Sequence, residues 1–292
     1  MLKKHEFYVS KILPLFILGL VMIFSPGRVL GQISGTVSVG SGGTYASWSA
    51  FASALTTNGH SGGVTVNVLS DLSESSIIYL KSPSTGTSSN SITISGNKKK
   101  LTSSSANAAI ILDGIDYVTI KDLSIDKTYT GTNVKGIQFM NGANDNTIDN
   151  CSIVFSALTG TNTSTSTGGA YIVFSNSATA MYSSSTTYAG ENNTVQNCTM
   201  STRSGSPGPT AGVFINGSSS RYTSNPTNNT IKGNTIENFY YYGMYTTYTN
   251  GDQFVNNDIS RANATSHNMS ATGMACYASY TYSTNRSTKI EG

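Results

Sequence analysis

Three observations predict that this chain folds as an all-β solenoid, a right-handed parallel β-helix with a short N-terminal capping helix. A six-residue motif recurs along it, a small residue leading an alternating strand precedes most copies, and Ser, Thr, Asn, Gly and Tyr dominate while charged residues make up only 11%. So little charge also suits disorder, but disorder needs few aromatic and β-branched residues, and this chain is rich in both. Many short strands joined by turns fit instead.

The motif begins with an aliphatic anchor and turns at an Asn-like residue. It reads Ile120-Lys121-Asp122-Leu123-Ser124-Ile125, then Ile148-Asp149-Asn150-Cys151-Ser152-Ile153, then Val195-Gln196-Asn197-Cys198-Thr199-Met200. Ile231-Lys232-Gly233-Asn234-Thr235-Ile236 and Phe254-Val255-Asn256-Asn257-Asp258-Ile259 follow, and Ile290-Glu291-Gly292 opens another. The leading strands are Gly136-Ile137-Gln138-Phe139, Gly169-Ala170-Tyr171-Ile172-Val173-Phe174, Gly212-Val213-Phe214-Ile215, Gly243-Met244-Tyr245 and Gly273-Met274-Ala275-Cys276. Each repeat therefore holds three short strands. Anchor spacings of 28, 47, 36, 23 and 36 describe one coil with loops of variable length. A single coil cannot bury its apolar side, whereas stacked coils pair every strand with the coils above and below. Ile120, Leu123, Ile125 and their equivalents should then form inward columns about 4.8 Å apart. The Asn-like corners tolerate left-handed backbone and bond to the neighbouring coil.

Ahead of the repeats, Tyr45, Trp48, Phe51 and Leu55 recur at helical spacing, which predicts a short amphipathic helix over Tyr45–Leu55 that caps the solenoid. Val64–Leu69, Ile77–Leu80 and Ile92–Ile94 read as the first strands. Earlier still, Lys3, Lys4 and Lys11 precede the apolar run Ile12–Phe24, and Val29-Leu30-Gly31 supplies small or aliphatic residues before Gln32. This is the pattern of a signal peptide removed after residue 31, and it predicts a secreted or cell-surface protein. No later segment is apolar enough to span a bilayer. The organisation expected is 1–31 signal peptide, 32–108 cap and first coils, and 109–292 repeats, stopping inside a coil without a C-terminal cap. Such an ending reads as a truncated piece of a longer polypeptide.

Residues 1–31 hold four of the 17 basic and one of the 14 acidic residues, which leaves 13 of each. The remainder is formally neutral and has no basic patch for nucleic acid; Lys98-Lys99-Lys100 is an isolated turn cluster.

With these residues in view, the chain resembles the secreted and surface β-helix proteins of the pectin-lyase-like fold in Bacteroidetes-type bacteria. The likeness rests on Gly42-Gly43-Thr44-Tyr45 leading into the cap, on Gly62-Gly63-Val64-Thr65-Val66-Asn67-Val68, on Ile111–Ile120 with Asp113-Gly114 at its centre, and on the repeated Asn-rich corners. It implies the fold across nearly the whole mature chain and says less of activity, since that fold holds pectate lyases, polygalacturonases, epimerases and surface proteins without known activity.

The chemistry in the sequence is sparse. Polysaccharide cleavage needs paired carboxylates, or a base with a charge neutraliser. The tandem Asp pair and Gly-His-Gly of the fold's hydrolases are absent. Asp113, Asp116, Asp122 and Asp126 form the densest acidic stretch; they suit turns, and oxygen ligation of Ca²⁺ is the other reading. Stacking would set Lys121 beside Asp149 as an exposed ion pair. His60 and His267 read as loop residues without acidic or Cys neighbours. Cys151 and Cys198 fall at the same inward position of successive motifs, which fits either two buried thiols or a bridge.

The inserted loops carry Met181 and a series of tyrosines: Tyr182, Tyr188, Tyr222, Tyr248, Tyr277, Tyr280 and Tyr282. Loops that leave every coil at one corner emerge on one side, so these rings form a candidate face for a polysaccharide or cell-surface glycan; packing between neighbouring loops is the competing reading. Two functions follow: a structural, adhesive or glycan-binding β-helix, or a polysaccharide lyase, hydrolase or epimerase.

Overall fold

The computed structural model describes residues 31–160, 164, 167–183, 188–203, 205–217, 228–261, 272–277 and 289–291. The chain divides into two compact units, Met1–Gly31 and Gln32–Gly292, and the fold below is that of the second.

Among the described residues every named strand lies in one of three parallel sheets. Sheet one holds β1 (Ile33–Val39), β2 (His60–Val68), β5 (Ile92–Ser95), β8 (Val118–Lys121), β11 (Thr147–Asp149), β14 (Thr194–Gln196), β17 (Thr230–Lys232), β20 (Gln253–Val255) and β23 (Lys289–Glu291). Sheet two stacks β3 (Leu72–Glu74), β6 (Lys100–Ser103), β9 (Ser124–Lys127), β12 (Ser152–Phe155), β15 (Thr199–Thr202), β18 (Thr235–Glu237) and β21 (Asp258–Ser260). Sheet three stacks β4 (Ile78–Leu80), β7 (Ala108–Asp113), β10 (Lys135–Met140), β13 (Ala170–Phe174), β16 (Ala211–Asn216), β19 (Tyr242–Thr247) and β22 (Thr272–Tyr277). The chain visits the sheets in turn, and parallel crossovers of this kind are right-handed. This is the parallel β-helix the repeat predicts.

The anchors stack as expected. Ile120, Ile148, Val195, Ile231, Phe254 and Ile290 pair in register across sheet one. Ile120, Leu123 and Ile125 are all buried, as are Ile148 and Ile153 in the next coil. Rings stack inside too: Phe139 lies on Phe174 at 4.3 Å, with 2° between their planes.

The small residues of the leading strands have a steric cause. A Cβ on Gly136 would lie 2.4 Å from the Tyr171 carbonyl oxygen, and one on Gly212 at 2.4 Å from that of Gly243, so only glycine lets these coils approach.

Two corners are held by side-chain ladders. Between sheets three and one, Asn146, Asn193, Asn229 and Asp252 stack, all buried. The Val118 N–H donates to Asn146 Oδ1 at 2.8 Å, Asn146 N–H to Asn193 Oδ1 at 2.9 Å, Asn193 N–H to Asn229 Oδ1 at 3.1 Å, and Asn229 N–H to Asp252 Oδ1 at 2.9 Å. Each Asn Nδ2 donates in turn to a carbonyl of the preceding coil: Asn146 to Ile115, Asn193 to Ala143, Asn229 to Gly190. Between sheets one and two, the residue after the left-handed corner (Asp122, Asn150, Asn197, Gly233 and Asn256, all with φ between 50° and 62°) turns inward. Leu123 occupies that place first; Cys151, Cys198, Asn234 and Asn257 then donate to the carbonyls of Ile120, Ile148, Val195 and Ile231. Both cysteines are buried free thiols, and each Sγ lies nearer a carbonyl of its own coil, Asp149 at 3.4 Å for Cys151 and Gln196 at 3.1 Å for Cys198, than the carbonyl of the neighbouring coil that the later amides reach.

The helix α1 spans Trp48–Asn58, three residues later than the spacing predicts at both ends. Ser47 caps it by accepting from the Ala50 N–H at 3.1 Å, which leaves Tyr45 in the preceding turn, edge-on to Phe51. Trp48, Phe51 and Leu55 are buried against the end of the core. His60 is no loop residue: it opens β2 and is buried.

Candidate functional site

Sheet three differs from a sheet with one wet face. β10, β13 and β16 are buried at every position. Their outward residues meet the connection after β13, which folds back over the sheet. Met181 packs with Ala170, Val173, Ala211 and Phe214, and Ala178 covers Ala108, Ile111 and Met140. Under this roof sits Lys135, whose Nζ donates to Gln138 Oε1 at 3.1 Å and to the carbonyls of Ser177 and Ala178 at 3.3 and 3.2 Å. None of these partners is a carboxylate, and burial lowers its pKa to about 7. Lys127 is likewise buried, at the inward end of β9, donating to Ser103 Oγ at 3.3 Å and Ser105 Oγ at 2.6 Å; burial lowers it to about 7 as well.

The candidate tyrosines divide. Tyr182 follows the buried Met181 and is half-buried. Tyr188, half-buried too, lies over Gly142 of the preceding coil, and its hydroxyl accepts from Asn144 Nδ2 at 3.5 Å. It therefore packs between coils. Tyr248 follows β19 in a left-handed conformation, φ 51°. Tyr277 lies in β22 with only its backbone described, and Tyr222, Tyr280, Tyr282 and His267 fall outside the described residues.

An aromatic group outside the repeated motif stands where β18 turns into β19. Tyr245 stacks on Phe214 at 5.1 Å with 1° between planes, Tyr242 meets Tyr245 at 4.6 Å, Tyr241 meets Tyr242 at 4.7 Å, and Tyr240 lies 6.4 Å from Tyr241. All four tyrosines are half-buried. The run Phe239-Tyr240-Tyr241-Tyr242 was the signal available in the sequence, because four successive aromatics cannot all point inward from a strand.

The acidic residues serve mostly as corner acceptors. Asp113 pairs with Lys81 at 3.4 Å, the one ion pair among the described residues, and accepts from Asn141 Nδ2. Asp122 accepts from Asn150 Nδ2 at 2.6 Å. Lys121 and Asp149 are register neighbours, but the expected ion pair does not form; Asp149 accepts from Asn197 Nδ2 at 2.9 Å instead. Asp116 accepts from the Asn144 N–H at 2.8 Å, and Asn144 Oδ1 accepts from the Glu191 N–H at 2.9 Å. Burial, with the nearby charges of Asp145 and Glu191, raises the Asp116 carboxyl above its ordinary pKa although the Asn144 bond lowers it. Among the described residues no three His, Cys, Asp or Glu side chains converge as a metal-ligand set, and no helix is long and apolar enough to cross a membrane.

No family model and no curated protein matches this sequence. Solved structures do match. The GH136 lacto-N-biosidase from Eubacterium ramulus is similar over 75% of this chain and 45% of its own, with 13% identity and a TM-score of 0.53. The catalytic domain of a GH87 α-1,3-glucanase aligns with 84% of this chain and 42% of its own, at 12% identity and a TM-score of 0.25, too low to argue from. The likeness to the first concerns the fold, and this chain spans less than half the length of either protein.

Proposed function

We propose that this chain is an exported, surface-associated β-helix that binds a glycan through the aromatic edge of sheet three. The contact sequence Tyr240–Tyr241–Tyr242–Tyr245 carries the reading: half-buried rings offer flat apolar area with polar tips at low entropic cost, which suits sugar rings. Tyr182 and Tyr248, both half-buried, are further candidates for that surface. The fold shared with a glycosidase supports it, and the signal-like N-terminus supports export. A glycan array followed by affinity electrophoresis tests it. Tyr240→Ala with Tyr241→Ala should weaken retention of the best-bound glycan by ~10-fold or more while leaving the melting temperature nearly unchanged. Failure of the wild-type protein to bind any arrayed glycan would refute it.

One observation favours a second reading, glycoside hydrolysis. Burial, and after it the charges of Asp145 and Glu191, raise the Asp116 carboxyl above its ordinary pKa, and a raised carboxyl is the property an acid catalyst needs. Reducing ends released from a polysaccharide panel, and lost in Asp116→Asn, would establish it; no release would sink it.

A further inference from the structure

The N-terminal coils hold an open cleft of about 500 Å³ lined by Gln32, His60, Ser61, Gly62, Pro83, Ser84, Thr85 and Asn90. Its wall is irregular for a reason. Ile33 pairs with His60 and Gly35 with Val64, so four steps along β2 face two along β1, and the chain bulges outward at Ser61-Gly62-Gly63. Bulges of this kind leave backbone N–H groups outside the ladder and re-aim nearby side chains. Here the side chain is His60.

Both nitrogens of the His60 ring have partners. Nε2 lies 3.2 Å from the Asn90 carbonyl oxygen and Nδ1 2.9 Å from Ser82 Oγ. A carbonyl only accepts, so Nε2 carries the hydrogen, and in the neutral ring Nδ1 is then a lone pair that accepts from the Ser82 hydroxyl. The Ser84 N–H donates to Ser82 Oγ at 3.1 Å, which leaves the hydroxyl hydrogen aimed at the ring. Asn90 is fixed in turn: its N–H donates to the Thr87 carbonyl and its Nδ2 to that of Thr85 at 2.7 Å. The order is hydroxyl, imidazole base, orienting acceptor, with a main-chain carbonyl in the orienting place. Ser82 is half-buried and precedes the cleft-lining Pro83 and Ser84, while His60 is buried behind it. One further side chain of the cleft lining offers a donor: Gln32, whose Nε2 donates to Ser84 Oγ at 3.1 Å.

We infer that Ser82 and His60 form a nucleophile–base pair that hydrolyses a short-chain carboxylic ester bound in this cleft. The Ser82 hydroxyl proton passes to His60 Nδ1 as Oγ bonds to the ester carbonyl carbon, and the carbonyl π pair moves onto its oxygen. Backbone N–H groups of the bulge and Gln32 Nε2 are the donors available to that oxygen. The pair returns as the bond to the alcohol oxygen breaks, and that oxygen takes the proton from Nδ1. Water then gives a proton to Nδ1 and adds to the acyl-Ser82 carbon; collapse releases the carboxylic acid and restores the Ser82 hydroxyl. Neither cofactor nor oxidant is needed.

The assay uses the full chain with p-nitrophenyl acetate as substrate and a fluorophosphonate as a covalent probe of an activated serine. The expected result is turnover above the buffer rate, a phosphonyl adduct mapped to the Ser82 peptide, and a loss of turnover of at least ~100-fold in Ser82→Ala. A folded wild-type protein that shows neither turnover nor adduct overturns the inference, as does turnover unchanged in Ser82→Ala. Should that variant fail to fold, the adduct site on the wild-type chain decides: an adduct at Ser82 supports the pair, and its absence overturns it. A purely structural Ser82 would move stability and leave the probe unreacted.

Discussion

Sheets one and three are built from the same coils, yet their outer faces meet different surroundings. On sheet one the outward column reads Thr36, Thr65, Thr93, Thr119, Thr147, Thr194, Thr230, all in register and none buried. Threonine suits a strand and pairs with its neighbours while wet. On sheet three the corresponding outward residues are Ala108, Lys135, Ala170 and Ala211, with Ile111, Gln138, Val173 and Phe214 beside them, all buried. A connection of a few residues leaves a face exposed; the long one after β13 returns to roof it. Loop length, more than strand composition, decides which face is wet.

The comparison can be broken at its most costly point, Lys135. Its pKa is lowered from 10.5 to about 7, so the favourable neutral state is fully present above pH 10.5, is lost as pH falls, and is gone below about 7. Lys135→Met should abolish that pH-dependent loss, about 5 kcal/mol as an upper bound, and flatten the melting temperature between pH 10 and 6. An unchanged slope would mean that the roof admits water.

Asp252 tests the ladder that joins the two sheets. It places an acceptor where Asn146, Asn193 and Asn229 carry a donor, its Oδ2 is buried without a partner, and burial raises its pKa to about 7. Stability held while the carboxyl is protonated is lost as pH rises from about 4 through 7. Asp252→Asn should therefore stabilise by roughly 3 kcal/mol at pH 8 and not at all near pH 4, read by denaturant titration at both. Equal effects at the two pH values would count against the ladder's role.

Met181→Ala removes the centre of the roof and should cost about 2–3 kcal/mol. The smallest effect belongs to sheet one: Thr194→Ala on its exposed face should shift stability by less than about 0.5 kcal/mol. Chemical denaturation of the two variants side by side checks whether one sheet is covered and the other is not.

The coils were readable because their cause is local. The aliphatic anchors, the glycine leads and the left-handed corners at Asp122, Asn150 and Asn197 each answer to backbone sterics or to an alternation of two, and they foretold the stacking of Ile148, Val195 and Ile231. Cys151 and Cys198 were placed correctly in one column, but the carbonyls around their thiols were hidden, since those of Ile120 and Ile148 belong to the neighbouring coil. The tyrosine loops were harder. Nothing in Met181-Tyr182 or Tyr188 says that one residue goes under a roof while another lies on Gly142, for a loop's destination depends on what surface it meets. His60 shows the same limit: a histidine without acidic neighbours looks idle until a bulge brings Ser82 and the Asn90 carbonyl to its two nitrogens.

The sequence by itself determined the repeating unit, its inward columns and the order of the three sheets, because these follow from short-range chain geometry repeated in register. Only the tertiary structure decided which outer face is covered, which lysines are buried and lowered in pKa, and which polar groups converge. Those depend on contacts between residues 20 to 50 positions apart, where packing and dehydration act on groups that no local pattern brings together.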